Sequence, residues 1–157
     1  MRREFAEYLF DEMKKNDKIF LLSGDIGFGI LDKIRDEFPS RFKNVGCSEQ
    51  LMIGMAIGLS YEGFIPICYS ITPFVLYRPF EMIRNYVDYE SVPVKLVGTG
   101  RDKDYGANGY SHWSEDDISV LSTFTNILKF KPDVLTRDVF ESFIYNKKPS
   151  YLNLRRN

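Results

Sequence analysis

Short apolar runs alternate with helical patterns along nearly the whole of this chain, and that alternation sharply limits the folds open to it. Residues 3–15 place Phe5, Tyr8, Leu9, Phe10 and Met13 at helical spacing with charges between them. An apolar run over 18–23, ending in Gly24-Asp25, reads as a buried strand. A short helix over 30–38, stopped by Pro39, and a short strand over 42–45 follow. Next come an apolar helix over 50–61, a strand over 65–69, a long helix over 73–89 with Pro73 in its first turn, and a strand over 92–98. A polar, glycine-rich loop spans 98–114, and Ser114-Glu-Asp-Asp is expected to cap and start another helix. A strand over 126–130, a helix over 135–145 and a strand over 150–154 complete the pattern. Strands that alternate with helices build a parallel sheet covered on both faces. The expected fold is a three-layer, doubly wound, mostly parallel α/β sheet, with residues 1–157 forming a single domain.

In such sheets ligands bind beyond the carboxyl ends of the strands. The loops that follow strands, 24–28, 46–49, 70–73 and 98–112, hold most of the unusual residues and are expected to share that edge. Lys plus Arg number 21 against 22 Asp plus Glu, a balance that argues against a nucleic-acid or anionic-membrane surface. No apolar run reaches membrane-spanning length. Cys47 and Cys68 lie in apolar segments and read as reduced core thiols of a cytoplasmic protein. With one histidine, His112, and no metal-type cysteine spacing, no metal ligands are expected from this chain.

Glu49 stands between a short strand and a helix of apolar and small residues. A carboxylate buried without a partner is costly, so such a group either meets a cation or a donor or handles protons. The plainer alternative is a helix-start glutamate that complements the helix dipole. Gly24-Asp-Ile-Gly-Phe-Gly29 invites comparison with a phosphate loop but fails as a dinucleotide fingerprint, since its spacing is wrong and Asp25 would repel a pyrophosphate. No P-loop and no nucleophile elbow occur.

The motifs Gly24-Asp25, Gly46-Cys-Ser-Glu-Gln50, Gly54-Met-Ala-Ile-Gly58, Phe74-Val-Leu-Tyr77, Gly109-Tyr-Ser-His112 and Pro149-Ser-Tyr-Leu-Asn-Leu154 follow one another in a family's order. Together they resemble the pyrimidine-binding domain of the transketolase-like thiamine diphosphate enzymes, over nearly the whole chain. The resemblance implies that Glu49 hydrogen-bonds a ring nitrogen of the aminopyrimidine and so activates the cofactor. It places Phe74 and Tyr77 on the pyrimidine ring and Asp25 near the thiazolium side. It gives His112 the substrate carbonyl and sets Arg156 near a phosphate-binding position. Ordinary core packing is the competing reading of Phe74 and Tyr77, a turn or cap that of Asp25, and a solvated chain end that of Arg156.

Some positions depart from the family pattern. Ile71 falls where some relatives carry a third aromatic, Asn108 where transketolases carry an Asp toward a substrate hydroxyl, and Gly100 near the place of another histidine. The diphosphate-binding domain of the family is absent from this sequence. The expectation is therefore the small subunit of a split carbohydrate-metabolising enzyme that transfers a two-carbon ketol unit. Thiamine diphosphate would be bound with Mg2+ held by a separate diphosphate-binding subunit, in a heterotetramer or around a homodimer core. The helix over 50–61, apolar on more than one face through Met52, Ile53, Met55, Ile57 and Leu59, is expected to supply an interface. A half-subunit of a 2-oxo acid dehydrogenase or decarboxylase, a non-catalytic scaffold and a flavodoxin-type module are the alternatives.

Overall fold

The structure is a computed structural model that describes residues 1–156. Six strands form one sheet in the order β2-β1-β3-β4-β6-β5. They are β1 (Ile19–Ser23), β2 (Phe42–Asn44), β3 (Ile65–Ile71), β4 (Lys95–Thr99), β5 (Leu128–Phe130) and β6 (Ser150–Leu154). Every pairing is parallel, with Leu21 opposite Ile67, Ile67 opposite Lys95 and Lys95 opposite Ser150. The helices are α1 (Arg2–Lys15), α2 (Asp32–Glu37), α3 (Glu49–Tyr61), α4 (Thr72–Tyr77), α5 (Phe80–Met82), α6 (Asp117–Leu121) and α7 (Arg137–Tyr145).

Alternate strand residues serve opposite faces, as the pleat requires. Leu21, Ile67, Tyr69, Val97 and Leu152 pack with Phe5 and Leu9 of α1, Ile34 of α2 and Phe140 and Phe143 of α7. Their sequence neighbours Leu22, Cys68, Leu96 and Tyr151 pack with Met52, Ile53 and Ala56 of α3, Val75 and Leu76 of α4 and Leu121 of α6. Each fully buried Leu or Phe of this kind contributes roughly 1.5–3 kcal/mol. Both faces are therefore covered, and the central strands are buried along most of their length and mainly apolar for that reason.

The single helix expected over 73–89 is broken. α4 stops at Tyr77, α5 occupies Phe80–Met82, and Ile83–Tyr89 continues as a π-helix. Pro79 is the cause, because it has no N–H to donate and its ring clashes with the carbonyl one turn back. The strand expected over 92–98 begins at Lys95, after Pro93. The capping role expected of Ser114 is also corrected. Its hydroxyl donates to the Gly100 carbonyl at 2.9 Å, and α6 begins at Asp117. Cys47 is no core thiol, since it is exposed in the loop between β2 and α3, whereas Cys68 is buried. α3 buries Met52, Ile53, Ala56 and Ile57, and leaves Met55 and Leu59 half-buried and Leu51 exposed. Among the described residues no helix is long and apolar enough to cross a membrane.

Candidate active site

An all-parallel sheet gathers its strand-to-helix loops on one edge, and here they deliver Asp25, Glu49, Phe74 and His112. Glu49 opens α3 and is 2% exposed. It stands where the helix dipole favours a negative charge. Arg78 Nη1 donates to both of its carboxylate oxygens, at 2.9 Å each. Ser70 Oγ, at the carboxyl end of β3, is a longer third partner at 3.5 Å. Gly24 permits this approach: a Cβ there would lie 2.9 Å from Ser70 Oγ and 3.4 Å from Glu49 Oε1. A surface cavity of about 420 Å³ lined by Cys47, Ser48, Glu49, Gln50, Leu51 and Arg78 leads to the carboxylate.

Phe74 lies on α4, and its ring carries Arg78 on it, with the guanidinium carbon 3.6 Å from the ring centroid. The His112 ring meets Phe74 edge-on at 4.9 Å between centroids. Ser111 Oγ is 3.0 Å from His112 Nδ1. Glu49, Arg78, Phe74 and His112 thus form a continuous chain of contacts. Tyr77 belongs to the same helix but turns elsewhere, donating its hydroxyl to Asp116 at 2.7 Å. Burial and that carboxylate push its phenol pKa well up. Asp25 is exposed, with φ of 55°, and its carboxylate accepts from Asn44 Nδ2 at 3.1 Å. Asn108 lies exposed in a 3₁₀ turn of the 100–113 loop. Arg156 is exposed, its guanidinium 4.8 Å from the Tyr105 ring centroid. It shares with Arg2, Arg3 and Glu4 a groove of about 590 Å³ that is basic on balance.

Sequence reasoning does not single out Arg78, yet it is the only cation paired with Glu49 among the described residues. The available signal is its position as the one charge within the otherwise uncharged run Thr72–Phe80. Asp117 likewise reads in the sequence only as part of an acidic helix start. It is fully buried and accepts from Tyr151 Oη at 2.9 Å, Asn153 Nδ2 at 3.0 Å and Lys131 Nζ at 3.1 Å. Asn153 reaches on to Thr72 Oγ1 at 3.4 Å, which itself donates to the Gly100 carbonyl at 2.8 Å. This buried network ties the start of α4 to the root of the His112 loop. A larger cavity of about 670 Å³ lies beside the π-helix, away from these groups. Two of its carboxylates are already engaged, Asp88 by Asn126 and Glu90 by Tyr61.

The arrangement offers a flat aromatic face beside a buried carboxylate. Arg78, a planar nitrogen donor, uses both: it stacks on Phe74 and donates to Glu49. No group of three or more His, Cys, Asp or Glu among the described residues is placed to hold a metal ion.

Residues 1–157 match the family described as transketolase, pyrimidine binding domain. A putative transketolase C-terminal section of Methanocaldococcus jannaschii is 34% identical over 99% of this chain and 50% of that protein. One of the subunits of the apulose-4-phosphate transketolase of Actinobacillus succinogenes is 35% identical over 75% of this chain and 39% of that protein. A solved structure described as a split gene transketolase, inactive beta4 tetramer, superposes with a TM-score of 0.86 at 29% identity, covering 99% of this chain and 50% of that one. The transketolase of Campylobacter jejuni, at 20% identity and a TM-score of 0.87, shares the fold, covering 99% of this chain and 25% of that one. The chain spans half or less of the length of the curated relatives named here.

Proposed function

This chain belongs to the transketolase pyrimidine-binding domain family, and we propose that it supplies the pyrimidine-binding half of a split, thiamine diphosphate-dependent transketolase. The observation that carries the reading is the buried Glu49 carboxylate beside the Phe74 ring on the ligand edge of the sheet. Similarity to proteins named as transketolase sections and subunits supports the split arrangement and the transfer of a two-carbon ketol unit. A separate subunit would hold the diphosphate and Mg2+.

Bound thiamine diphosphate would supply the nucleophilic thiazolium carbon that neither Glu49 nor any other side chain here can provide. Glu49 would share a proton with a ring nitrogen of the aminopyrimidine, accepting from that nitrogen when it carries the proton, and its burial strengthens the bond because water competes little. Phe74 would stack on the ring. Tyr77, with its hydroxyl held by Asp116, would border the ring rather than lie on it. His112, packed edge-on against Phe74, would face the substrate carbonyl and give or take a hydrogen bond there. Asp25 would lie toward the thiazolium side, pinned by Asn44. Asn108, on the exposed turn of the same loop as His112, would meet a substrate hydroxyl. Arg156, with Arg2 and Arg3 in the basic groove, suits the anionic end of a phosphorylated sugar. A cytoplasmic location accords with such a substrate. The partly apolar outer face of α3, with Leu51 exposed, suits the subunit interface.

Titration calorimetry tests the reading. Thiamine diphosphate with magnesium should bind the isolated chain weakly, and tightly once a diphosphate-binding subunit is added. Ketol transfer should appear only in the mixture. Tight, magnesium-dependent binding by the chain alone would contradict the divided site.

A further inference from the structure

Arg78 stands in two places at once. Its guanidinium lies 3.6 Å over the centroid of Phe74, and its Nη1 lies 2.9 Å from both oxygens of Glu49. These are the two surfaces that the proposed function assigns to the aminopyrimidine: the flat aromatic face and the carboxylate. A ring stacked on Phe74 needs the same layer of space, so the guanidinium and the pyrimidine exclude each other on that face.

The two members of the pair are unequally committed. The Glu49 side chain is 1% exposed and the Arg78 side chain 44%. Arg78 is already half hydrated, so swinging into water loses it little. Glu49 has no second charged partner among the described residues, and its other donor, Ser70, is 3.5 Å away. A buried carboxylate that loses its only cation is left less stable, and a ligand that donates to it makes good that loss. Arg78 therefore gives way more readily to a group that brings its own donor to Glu49. A flat ring without such a donor binds more weakly than one with it.

From this geometry we infer that Arg78 is the resident occupant of the pyrimidine seat, and that its displacement sets the affinity and the selectivity of this chain for aminopyrimidines. The inference rests on the cofactor reading above. Arg78 is a specificity-setting residue, and Glu49 is the group it guards. A seat closed for about nine-tenths of the time weakens apparent binding about tenfold.

The test uses the isolated chain and free 4-amino-5-(hydroxymethyl)-2-methylpyrimidine, followed by NMR titration. Wild type, Arg78→Met and Arg78→Lys are compared, with circular dichroism to establish folding. Arg78→Met should bind the pyrimidine about tenfold more tightly than wild type, with Arg78→Lys between them. In wild type the Arg78 guanidinium resonances should move to the position of a free arginine as the pyrimidine saturates. Equal or weaker binding by Arg78→Met, or Arg78 resonances that stay in place at saturation, overturns the inference and leaves the pyrimidine pocket standing. Binding by neither wild type nor a folded variant at millimolar pyrimidine overturns the pocket itself, and the inference with it. Should Arg78→Met fail to fold, Arg78→Lys and the wild-type resonances decide.

Discussion

Two carboxylates are buried at the starts of helices on the same face of the sheet, and they are held in opposite ways. Asp117 accepts from the Tyr151 hydroxyl, the Asn153 amide and the Lys131 ammonium, all within 3.1 Å, and also from the Ile118 N–H. Tyr151 and Asn153 are strand residues with no exposure and cannot leave. Glu49 depends on one half-exposed arginine and one distant hydroxyl. Asp117 is surrounded mainly by partners fixed in the fold. Glu49 is left with a partner that can be exchanged, as the ligand role proposed for it requires.

That contrast makes unequal demands on stability. The largest effect is expected at Asp117. Asp117→Ala removes the acceptor shared by three side chains and should cost about 3 kcal/mol, read as a lower midpoint in urea denaturation. A loss below about 1 kcal/mol would show that the network is dispensable and the contrast empty.

A third buried charge sharpens the comparison. Lys95, at the opposite edge of the sheet, donates to the carbonyls of Asn146 and Lys148 and to the side chain of Asn146, at 2.7–3.0 Å. Its partners are fixed, as those of Asp117 are, yet none is charged. Burial outweighs them and pulls the ammonium pKa from its ordinary 10.5 down to about 7. The unfolded chain then holds more protons than the folded one between those values, so stability rises with pH through that window. A gain of about 2 kcal/mol between roughly pH 7.5 and 9 is expected, and Lys95→Met should flatten it. Thermal melts across that range measure both.

The smallest stability effect is expected at the exchangeable pair. Arg78→Met leaves Glu49 without its cation, but Arg78 is half in water and solvent can enter the space it vacates. The cost should be about 1 kcal/mol, checked by the same urea melts. A loss as large as that at Asp117 would mean that Arg78 is a fixed structural partner after all.

Much of the fold is legible from periodicity. The bounds of β6 can be read to the residue, because Pro149 and the charged Arg155 bracket a run buried on both faces. The burial of Glu49 is legible from the apolar residues around it. The break at Pro79 is equally present in the sequence, but the apolar spacing on either side of it reads as one continuous helix. The pairing of Glu49 with Arg78 is not legible, since the two are 29 residues apart and meet only once α3 and α4 lie on the same face. In Glu115-Asp-Asp117, three adjacent acids look equivalent, and only the direction of α6 selects Asp117 for burial. Cys47 misleads because its apolar neighbours serve α3, while the loop that carries it stays at the surface.

The central claim is that Glu49 engages the aminopyrimidine and activates the cofactor. Its most direct test is deuterium exchange at the thiazolium carbon of thiamine diphosphate, followed by proton NMR in the complex of this chain with a diphosphate-binding subunit. Glu49→Gln preserves size and one hydrogen bond but cannot share a proton. Exchange should slow by about 10²–10⁴-fold while the fold and cofactor binding change far less. Exchange as fast as in wild type, accompanied by a lowered melting temperature, would contradict the claim and reduce Glu49 to a structural helix start.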